Sequence, residues 1–234
     1  MRIFAIADLH LSNSSNKPMD IFGENWTNHM NVLFENWIKI VDDQDVVLIP
    51  GDISWGMRLD EAKADLDRLE KLPGQKICIR GNHDYWWDRP GKLNKLYETL
   101  YFLQNKAYCI GKIGICGSRG WTCPNGLTDH EADGKILDRE LIRLKLSLED
   151  ALNKNAQQII VMMHYPPANR EDPTSPFTLL FQKYPIVHVV YGHLHDAESW
   201  QGALQGLCGG IQYHLVAADY LGFSPLLIGE RLTF

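Results

Sequence analysis

The sequence predicts a single α/β domain over residues 1–234, in which two β-sheets carry helices on their outer faces. Three observations predict this fold class. In the first hundred residues, short apolar runs alternate with helical patterns, which is typical of parallel strands joined by right-handed crossovers. Later runs such as 159–163 are apolar throughout, as in strands buried on both faces. After residue 205, glycines divide the chain into segments that predict two or three short antiparallel strands.

Each predicted strand is a short apolar run that ends at a polar residue or a glycine. The runs lie at residues 2–7, 45–49, 76–80, 108–118 (a hairpin), 159–163 and 186–191. Apolar residues spaced three or four apart predict helices at about 26–41, 59–72, 92–100 and 133–153. Pro73 and Gly74 end the second of these helices.

The composition is that of an ordinary soluble globular protein. It has 234 residues, of which 45% are apolar and 22% charged, with a net charge of -6. The acidic balance argues against a general nucleic-acid binder, and no apolar tract of about 18 residues predicts a membrane span. The N-terminal run before Asp8 is too short for a signal-peptide core, so we expect a cytoplasmic protein. The sequence does not predict an oligomeric state.

The five cysteines do not indicate a disulfide framework or a thiolate zinc site, because their number is odd and none forms a C-x-x-C pair. We expect reduced thiols that pack as small apolar groups. They are Cys78, Cys109, Cys116, Cys123 and Cys208.

Polar side chains follow five of the predicted strands. The segments are Asp8-Leu9-His10, Gly51-Asp52, Gly81-Asn82-His83-Asp84, Met163-His164-Tyr165 and Gly192-His193-Leu194-His195. Polar residues beyond the carboxyl ends of neighbouring parallel strands share one crevice, so we expect these groups to converge. They supply carboxylate, amide and imidazole donors without any thiolate, a set that suits Mn, Fe, Zn or Ni.

The number of donors predicts two ions rather than one. Seven candidate ligands exceed one tetrahedral site and suit two ions about 3.5–4 Å apart that share a carboxylate. Such a pair generates hydroxide near neutral pH and offsets charge on a transferring phosphoryl group. An imidazole that is not a ligand can then protonate the leaving group, and His83 is the candidate because Asn82 can serve as the neutral ligand.

These five segments, in this order over residues 8–195, resemble the calcineurin-like metallophosphoesterase superfamily. The resemblance implies a four-layer α/β/β/α sandwich with two mixed sheets and a dinuclear centre of divalent or trivalent ions, Mn or Fe being favoured. It implies that one ion is held by Asp8, His10 and His195, the other by Asn82, His164 and His193, and that Asp52 bridges them. It implies that His83 is the general acid or stabilises the phosphoryl group.

Two departures from the family's Ser/Thr protein phosphatases disfavour a protein phosphatase. Those members have a second Asp and an Arg where this chain has Trp55 and Gly56, and they close the third segment with Glu where this chain has Asp84. Arg58 is nearby in sequence but is not predicted to bind phosphate. Without the second Asp, His83 must be oriented by another group, for which Asp84 and a backbone carbonyl are candidates.

The predicted function is therefore hydrolysis of a small phosphate ester, either a monoester or a diester, with loops 12–25 and 165–176 shaping access. The alternative is a catalytically silent binding or scaffold protein on the same fold; such relatives usually lack a ligand, and here none is missing. Four histidines outside the segments are predicted to be structural or surface residues: His29, His130, His188 and His214. Trp86 and Trp87 are predicted to pack in the core rather than to stack on a nucleobase.

Overall fold

The computed structural model describes residues 1–13, 17–122 and 131–230, so Cys123 and His130 lie outside the described residues. The chain forms two compact units. The first contains Met1–Phe102 and the chain from Val216 onward, and the second contains Leu103–Leu215. The first unit is therefore built from two separate stretches of the sequence.

The described residues contain eleven strands and six α-helices. The strands are β1 Arg2–Ala5, β2 Val46–Ile49, β3 Gln75–Cys78, β4 Leu100–Phe102, β5 Tyr108–Ile110, β6 Ile113–Ser118, β7 Gln158–Met163, β8 Ile186–Tyr191, β9 Gly206–Cys208, β10 Ile211–Leu215 and β11 Leu226–Glu230. The helices are α1 His29–Ile40, α2 Leu59–Glu70, α3 Pro90–Leu93, α4 Glu131–Asn153, α5 Pro176–Phe181 and α6 Ala197–Gly202.

The first unit holds a mixed five-stranded sheet in the order β11-β1-β2-β3-β4. Strands β1 to β4 are parallel, and β11 pairs with β1 in the antiparallel direction. Strand β2 is buried along its whole length, as its apolar sequence predicts. The core of this unit includes Leu33 and Trp37 of α1 and Leu66 and Leu69 of α2, all fully buried. This core fixes the three central strands whose carboxyl ends carry polar groups.

The second unit holds a mixed six-stranded sheet in the order β5-β6-β7-β8-β10-β9. Strands β6, β7, β8 and β10 are parallel, and β5 and β9 are antiparallel edge strands. Helix α4 packs closely on β6 because Gly114 has no side chain. A Cβ atom at Gly114 would lie 2.9 Å from the Cβ atom of Ala151.

The two mixed sheets with their helices confirm the predicted α/β class. The hairpin at 108–118 and the long helix that ends at Asn153 are also confirmed. No described helix is both long and apolar enough to cross a membrane.

Four details of the prediction are wrong. The segment 92–100 forms only the short helix α3 followed by strand β4. Helix α1 begins at His29 rather than near Trp26, because Asn28 has a left-handed φ of 56° and the preceding residues form 3₁₀ turns. Three strands follow residue 205 as predicted, and β9 and β11 pair in the antiparallel direction, but β10 also pairs in parallel with β8. Helices α5 and α6 are too short to show a periodic pattern and were not predicted.

Candidate functional site

In the first unit, three of the predicted segments follow adjacent parallel strands. Strand β2 lies between β1 and β3, so Asp8, Asp52 and Asn82 follow three neighbouring strands. The Asp8 backbone N–H donates to the carbonyl of Gly51 at 3.0 Å, and the His10 N–H donates to the carbonyl of Asp52 at 3.0 Å. The ends of β1 and β2 are therefore joined directly, as the strand-end argument predicts.

Asp52 is the centre of these contacts. It is 2% exposed, and its Oδ1 accepts the backbone N–H of His83 at 2.8 Å. Its Oδ2 lies 3.9 Å from Nε2 of His10. The structure thus brings the predicted bridging carboxylate together with a predicted ligand and with the predicted general acid.

The backbone is strained at four predicted ligands. Asp8, His10, Asp52 and His193 have φ values of 58°, 45°, 53° and 74°. Positive φ is uncommon for residues other than glycine, and bulky residues adopt it only where the surrounding structure enforces it. Among the described residues, three of the other four with positive φ that are not glycine are asparagines; asparagine, aspartate and histidine adopt this conformation more readily than other residues with a side chain. Such strain at aspartate and histidine is typical of sites that must aim a side chain.

Asp84 holds the loop that carries Asp52. Its Oδ2 accepts the backbone N–H of Asp52 at 2.9 Å and that of Gly81 at 2.8 Å. Its Oδ1 accepts the N–H groups of Ile53 at 2.9 Å and Ser54 at 3.3 Å, and the Trp86 indole N–H at 3.0 Å. The carboxylate is fully buried, and five donors stabilise its charge.

Gly81 is required where the β2 and β3 loops approach each other. A Cβ atom at this position would lie 2.1 Å from Oδ1 of Asp52 and 2.3 Å from its backbone nitrogen. No side chain fits at this distance. The glycine therefore permits the close approach of the chain to Asp52.

Asp65 is a second buried carboxylate that supports the site, and sequence reasoning missed it. Its Oδ1 accepts the backbone and side-chain N–H groups of Asn13, at 2.9 and 2.6 Å, and its Oδ2 accepts the Ser54 hydroxyl. It thus links helix α2 to the loops after β1 and β2. The available signal was an aspartate on the apolar stripe of a predicted helix.

His29 lies behind His10. It is 5% exposed, with its ring nitrogens 3.3 Å from the carbonyl oxygen of His10 and 3.2 Å from that of Trp26. Burial lowers the pKa of His29, and its contacts with backbone carbonyls oppose this. Of the two expected alternatives, structural or surface, its burial excludes the surface position.

The two positions that depart from the protein phosphatases have clear structural surroundings. A Cβ atom at Gly56 would lie 2.6 Å from the backbone nitrogen of Ala62, so an arginine does not fit there. Arg58 is 72% exposed in its side chain and pairs with Asp60 and Glu61 at 3.4 and 3.2 Å. Trp55 packs its ring against the rings of His10 and His83.

In the second unit, two predicted segments follow the adjacent parallel strands β7 and β8. His164 is fully buried, and its Nε2 lies 3.3 Å from Nδ1 of His193. The Gly192 N–H donates to the His164 carbonyl at 3.2 Å. The Tyr165 ring packs on His193 with centroids 4.1 Å apart. The structure therefore brings His164 and His193 together, whereas His195 lies two residues further on and is exposed.

The backbone of Arg119 holds the segment that carries His164 in the second unit. It follows β6, and its carbonyl accepts the N–H groups of His164 at 3.1 Å and Tyr165 at 3.0 Å. Its side chain is only 18% exposed and lies over the Trp121 ring at 4.7 Å. It is therefore not the solvated surface residue that its loop position suggests.

The predicted ligand set fits divalent cations chemically. Two carboxylates, one amide and four imidazoles are hard and borderline donors of the kind that Mn, Fe and Zn accept. Asp8 and Asp52 are 0% and 2% exposed on neighbouring strands of the first unit. Burying two carboxylates so near each other is costly unless positive charge or donors offset them, which a bound cation does.

Comparisons with known proteins agree with this chemistry. The family model described as calcineurin-like phosphoesterase matches residues 1–197. A probable cyclic nucleotide phosphodiesterase of Coxiella burnetii is 25% identical over 205 residues, covering 84% of this chain and 76% of that protein. Another from Vesicomyosocius okutanii is 26% identical over 167 residues, covering 67% of this chain and 65% of that protein.

A solved structure shows the same fold. The phosphopantetheinyl hydrolase of Mycobacterium tuberculosis superimposes with a TM-score of 0.52 at 16% identity, covering 100% of this chain and 98% of that one. The family match spans all five segments, from Asp8 to His195. This chain accordingly belongs to the calcineurin-like phosphoesterase family and is a metal-dependent phosphoric ester hydrolase.

Proposed function

We propose that this protein hydrolyses small phosphodiesters with a dinuclear metal centre. The observation that carries the proposal is the position of Asp52, which contacts both a predicted ligand and the predicted general acid. Two curated relatives named as probable cyclic nucleotide phosphodiesterases support a diester, with a cyclic nucleotide-like molecule as the substrate class. The catalytically silent scaffold is not favoured, because the chain retains every ligand of the family pattern.

The proposed ligands follow the family pattern. Asp8, His10 and His195 hold one ion, Asn82, His164 and His193 hold the other, and Asp52 is shared. When bound, the two ions lower the pKa of water and offset the negative charge of the phosphoryl oxygens. Mn or Fe is the favoured pair, since the donors include oxygen and imidazole but no thiolate. We place the protein in the cytoplasm, where its cysteines stay reduced.

His83 is the proposed general acid. Its backbone N–H donates to Asp52. This bond holds the His83 backbone beside the proposed bridging carboxylate. From there the imidazole donates a proton to the leaving oxygen as its bond to phosphorus breaks. His83→Ala should keep the bound metal and lower turnover by about 10²–10⁴-fold, the usual contribution of a positioned acid. The control is His188→Asn, and unchanged turnover in His83→Ala would refute this role.

The substrate class is tested with two chromogenic esters and Mn-loaded protein. Bis(p-nitrophenyl) phosphate is a diester and p-nitrophenyl phosphate is a monoester, and both release the same phenol. We expect the diester to be hydrolysed faster. Faster hydrolysis of the monoester would overturn the diester assignment, and hydrolysis of neither would overturn the proposed activity.

The metal centre is tested through Asp52. Asp52→Ala should lose both bound metal and hydrolysis, because a shared ligand is removed. Asp88→Ala is the matched control, since the Asp88 carboxylate pairs with Lys92 at 2.6 Å and accepts the Arg89 backbone N–H at 2.7 Å, away from the predicted ligands. An Asp52→Ala protein with normal metal content and full hydrolysis would contradict the proposal.

A further inference from the structure

Trp55 packs against two histidines of the site in the first unit, His10 and His83, whose own ring centroids lie 5.8 Å apart. Its ring stacks on His10, with centroids 4.8 Å apart and an interplanar angle of 21°. The same ring lies 4.6 Å from the His83 ring at an angle of 50°. These distances are within the range of attractive aromatic contacts. Trp55 therefore supports a proposed ligand and the proposed acid at the same time.

The indole itself is held in place on several sides. The Trp55 backbone N–H donates to the Leu11 carbonyl at 2.9 Å. Its Nε1–H donates to the sulfur of Met19 at 3.0 Å, and the Lys17 ammonium lies 4.4 Å over the ring. A tryptophan with so many partners has few accessible rotamers. The Trp55 ring can therefore hold the histidine rings that pack on it in a fixed position.

The sequence does not identify the group that orients the His83 ring, for which Asp84 is one candidate. The Asp84 carboxylate accepts the backbone N–H groups of residues 52–54 and 81 and the indole N–H of Trp86. These bonds tie Asp84 to the loops that carry Asp52 and His83. The Trp55 ring contacts the His83 ring with centroids 4.6 Å apart, whereas the rings of His10 and Tyr85 lie farther from it, at 5.8 and 6.4 Å.

We propose that Trp55 is a positioning residue for His83, which keeps the imidazole where it can protonate the leaving group. The inference rests on the proposed hydrolysis. In that reaction a water oxygen forms a bond to phosphorus, and the leaving oxygen departs with its bonding electrons and takes the proton of His83. The proton released by water returns the histidine to its starting form through solvent. Misplacing a catalytic group by about 1 Å can cost about 10²-fold in rate.

The test uses leaving groups that differ in their need for an acid. The substrates are methyl p-nitrophenyl phosphate and methyl phenyl phosphate, or the corresponding aryl monoesters if the wild type prefers monoesters. Nitrophenolate leaves with little help, whereas phenolate needs a proton. Trp55→Ala should lower kcat about tenfold or more for the phenyl ester, and less than about threefold for the nitrophenyl ester. KM should change less than kcat, because the ring positions an acid rather than binding substrate.

Two further variants separate positioning from simple filling of space. Trp55→Phe keeps an aromatic face and should recover most of the phenyl-ester rate, whereas Trp55→Leu fills space without a ring and should not. In the Trp55→Ala/His83→Ala double variant, the phenyl-ester rate should equal that of His83→Ala alone. Trp87→Ala is the matched control, because Trp87 packs on Phe102 at 5.2 Å and on Trp86 at 5.5 Å.

A measurement without turnover checks the same geometry. In zinc-loaded protein, the Trp55 ring should move the proton resonances of the His83 ring upfield, and this shift should disappear in Trp55→Leu. Calorimetry should give the same number of bound Mn²⁺ ions in both proteins. Equal rate losses for both leaving groups, or His83 resonances unmoved in Trp55→Leu, would overturn the inference alone. A wild type that hydrolyses no ester would instead refute the proposed function and this inference with it.

Discussion

At the scale of residues, the site depends on backbone conformations that few side chains adopt. Positive φ at Asp8, His10 and Asp52 turns the chain sharply after β1 and β2. Each such residue costs of order 1–3 kcal/mol, which the surrounding hydrogen bonds must offset. The Asp84 carboxylate supplies several of these bonds to the backbone after β2. Strain and support are therefore found in the same short segments.

Gly81→Ala tests this close packing. The new Cβ atom would lie 2.1 Å from Oδ1 of Asp52, so the loops must separate. We expect the variant to lose most Mn²⁺ affinity and hydrolysis and to be destabilised by about 1–3 kcal/mol, as in overpacked cores. Gly134→Ala is the control, because a Cβ atom there meets no atom within 4 Å. Normal metal binding by Gly81→Ala would show that the loops are not tightly coupled.

The paired histidines of the second unit give a pH dependence of stability. Nδ1 of His188 lies 3.1 Å from Nε2 of His214. Burial and the neighbouring His188 lower the pKa of His214 to about 4, and burial lowers the pKa of His188. An unfolded histidine titrates near about 6.5. The folded state thus binds fewer protons, so its stability is full above about pH 6.5 and falls as the pH drops towards 4.

His214→Gln should weaken this dependence. In urea unfolding with a chelator present, the wild type should lose about 1–2 kcal/mol more than the variant between pH 7 and pH 5. Histidines that do not contact His214 are common to both proteins and cancel in this difference, whereas His188 loses its partner in the variant. Equal losses of unfolding free energy in the two proteins would contradict the assignment to His214.

At the scale of elements, tertiary contacts explain why the sequence predicted some segments correctly and others not. The runs before Asp8, Asp52 and Gly81 were identified because they are apolar and end at a polar residue or a glycine. The segment 92–100 was not, since its helix ends when the Asn94 side chain pairs with the backbone of Phe102. Asn94 Oδ1 accepts the Phe102 N–H at 2.7 Å, and Nδ2 donates to its carbonyl at 3.1 Å.

The proposed site residues and the residues that support them differ in the same way. Asp8, His10, Asp52 and His83 were predicted because their residue types and positions at strand ends carry chemical information. The roles of Asp84, Asp65 and Trp55 depend mainly on partners 11 to 52 positions away in sequence, including Asn13 and Asp52. No local pattern contains such pairings. The supporting residues could therefore be identified only from the structure.

Helix α5 illustrates an element that depends on its cap. The Ser175 hydroxyl accepts the Thr178 N–H at 3.1 Å and donates to the Pro167 carbonyl at 2.6 Å, while the Thr178 hydroxyl accepts the Ser175 N–H at 2.8 Å. Ser175→Ala removes the first two bonds and should cost about 0.5–2 kcal/mol of unfolding free energy. Thr174→Ala, at an exposed neighbouring position, is the control. Equal stability of both variants would contradict the role of the capping box.

At the scale of the whole molecule, the N-terminal and C-terminal parts of the chain are paired in one sheet. Strand β11 pairs with β1, and the Ala7 backbone N–H donates to the carbonyl of Val216 at 2.7 Å. The first unit is therefore completed only after the second unit has been synthesised. One domain over residues 1–234 stays a prediction, because the contacts divide the chain into two compact units.

That prediction is tested by calorimetry of the full-length protein. One domain should unfold in a single transition with equal calorimetric and van't Hoff enthalpies. Two separated transitions would show that the units unfold independently and would contradict the single domain.

Metal dependence is the central claim, and a titration tests it most directly. Metal-free protein is titrated with Mn²⁺ while bound ions per chain and hydrolysis of bis(p-nitrophenyl) phosphate are measured on the same samples. We predict negligible hydrolysis without metal and a rate that rises until about two ions are bound per chain, the number that a shared-carboxylate centre holds. Full hydrolysis by metal-free protein, or a maximal rate with one ion bound, would contradict the account.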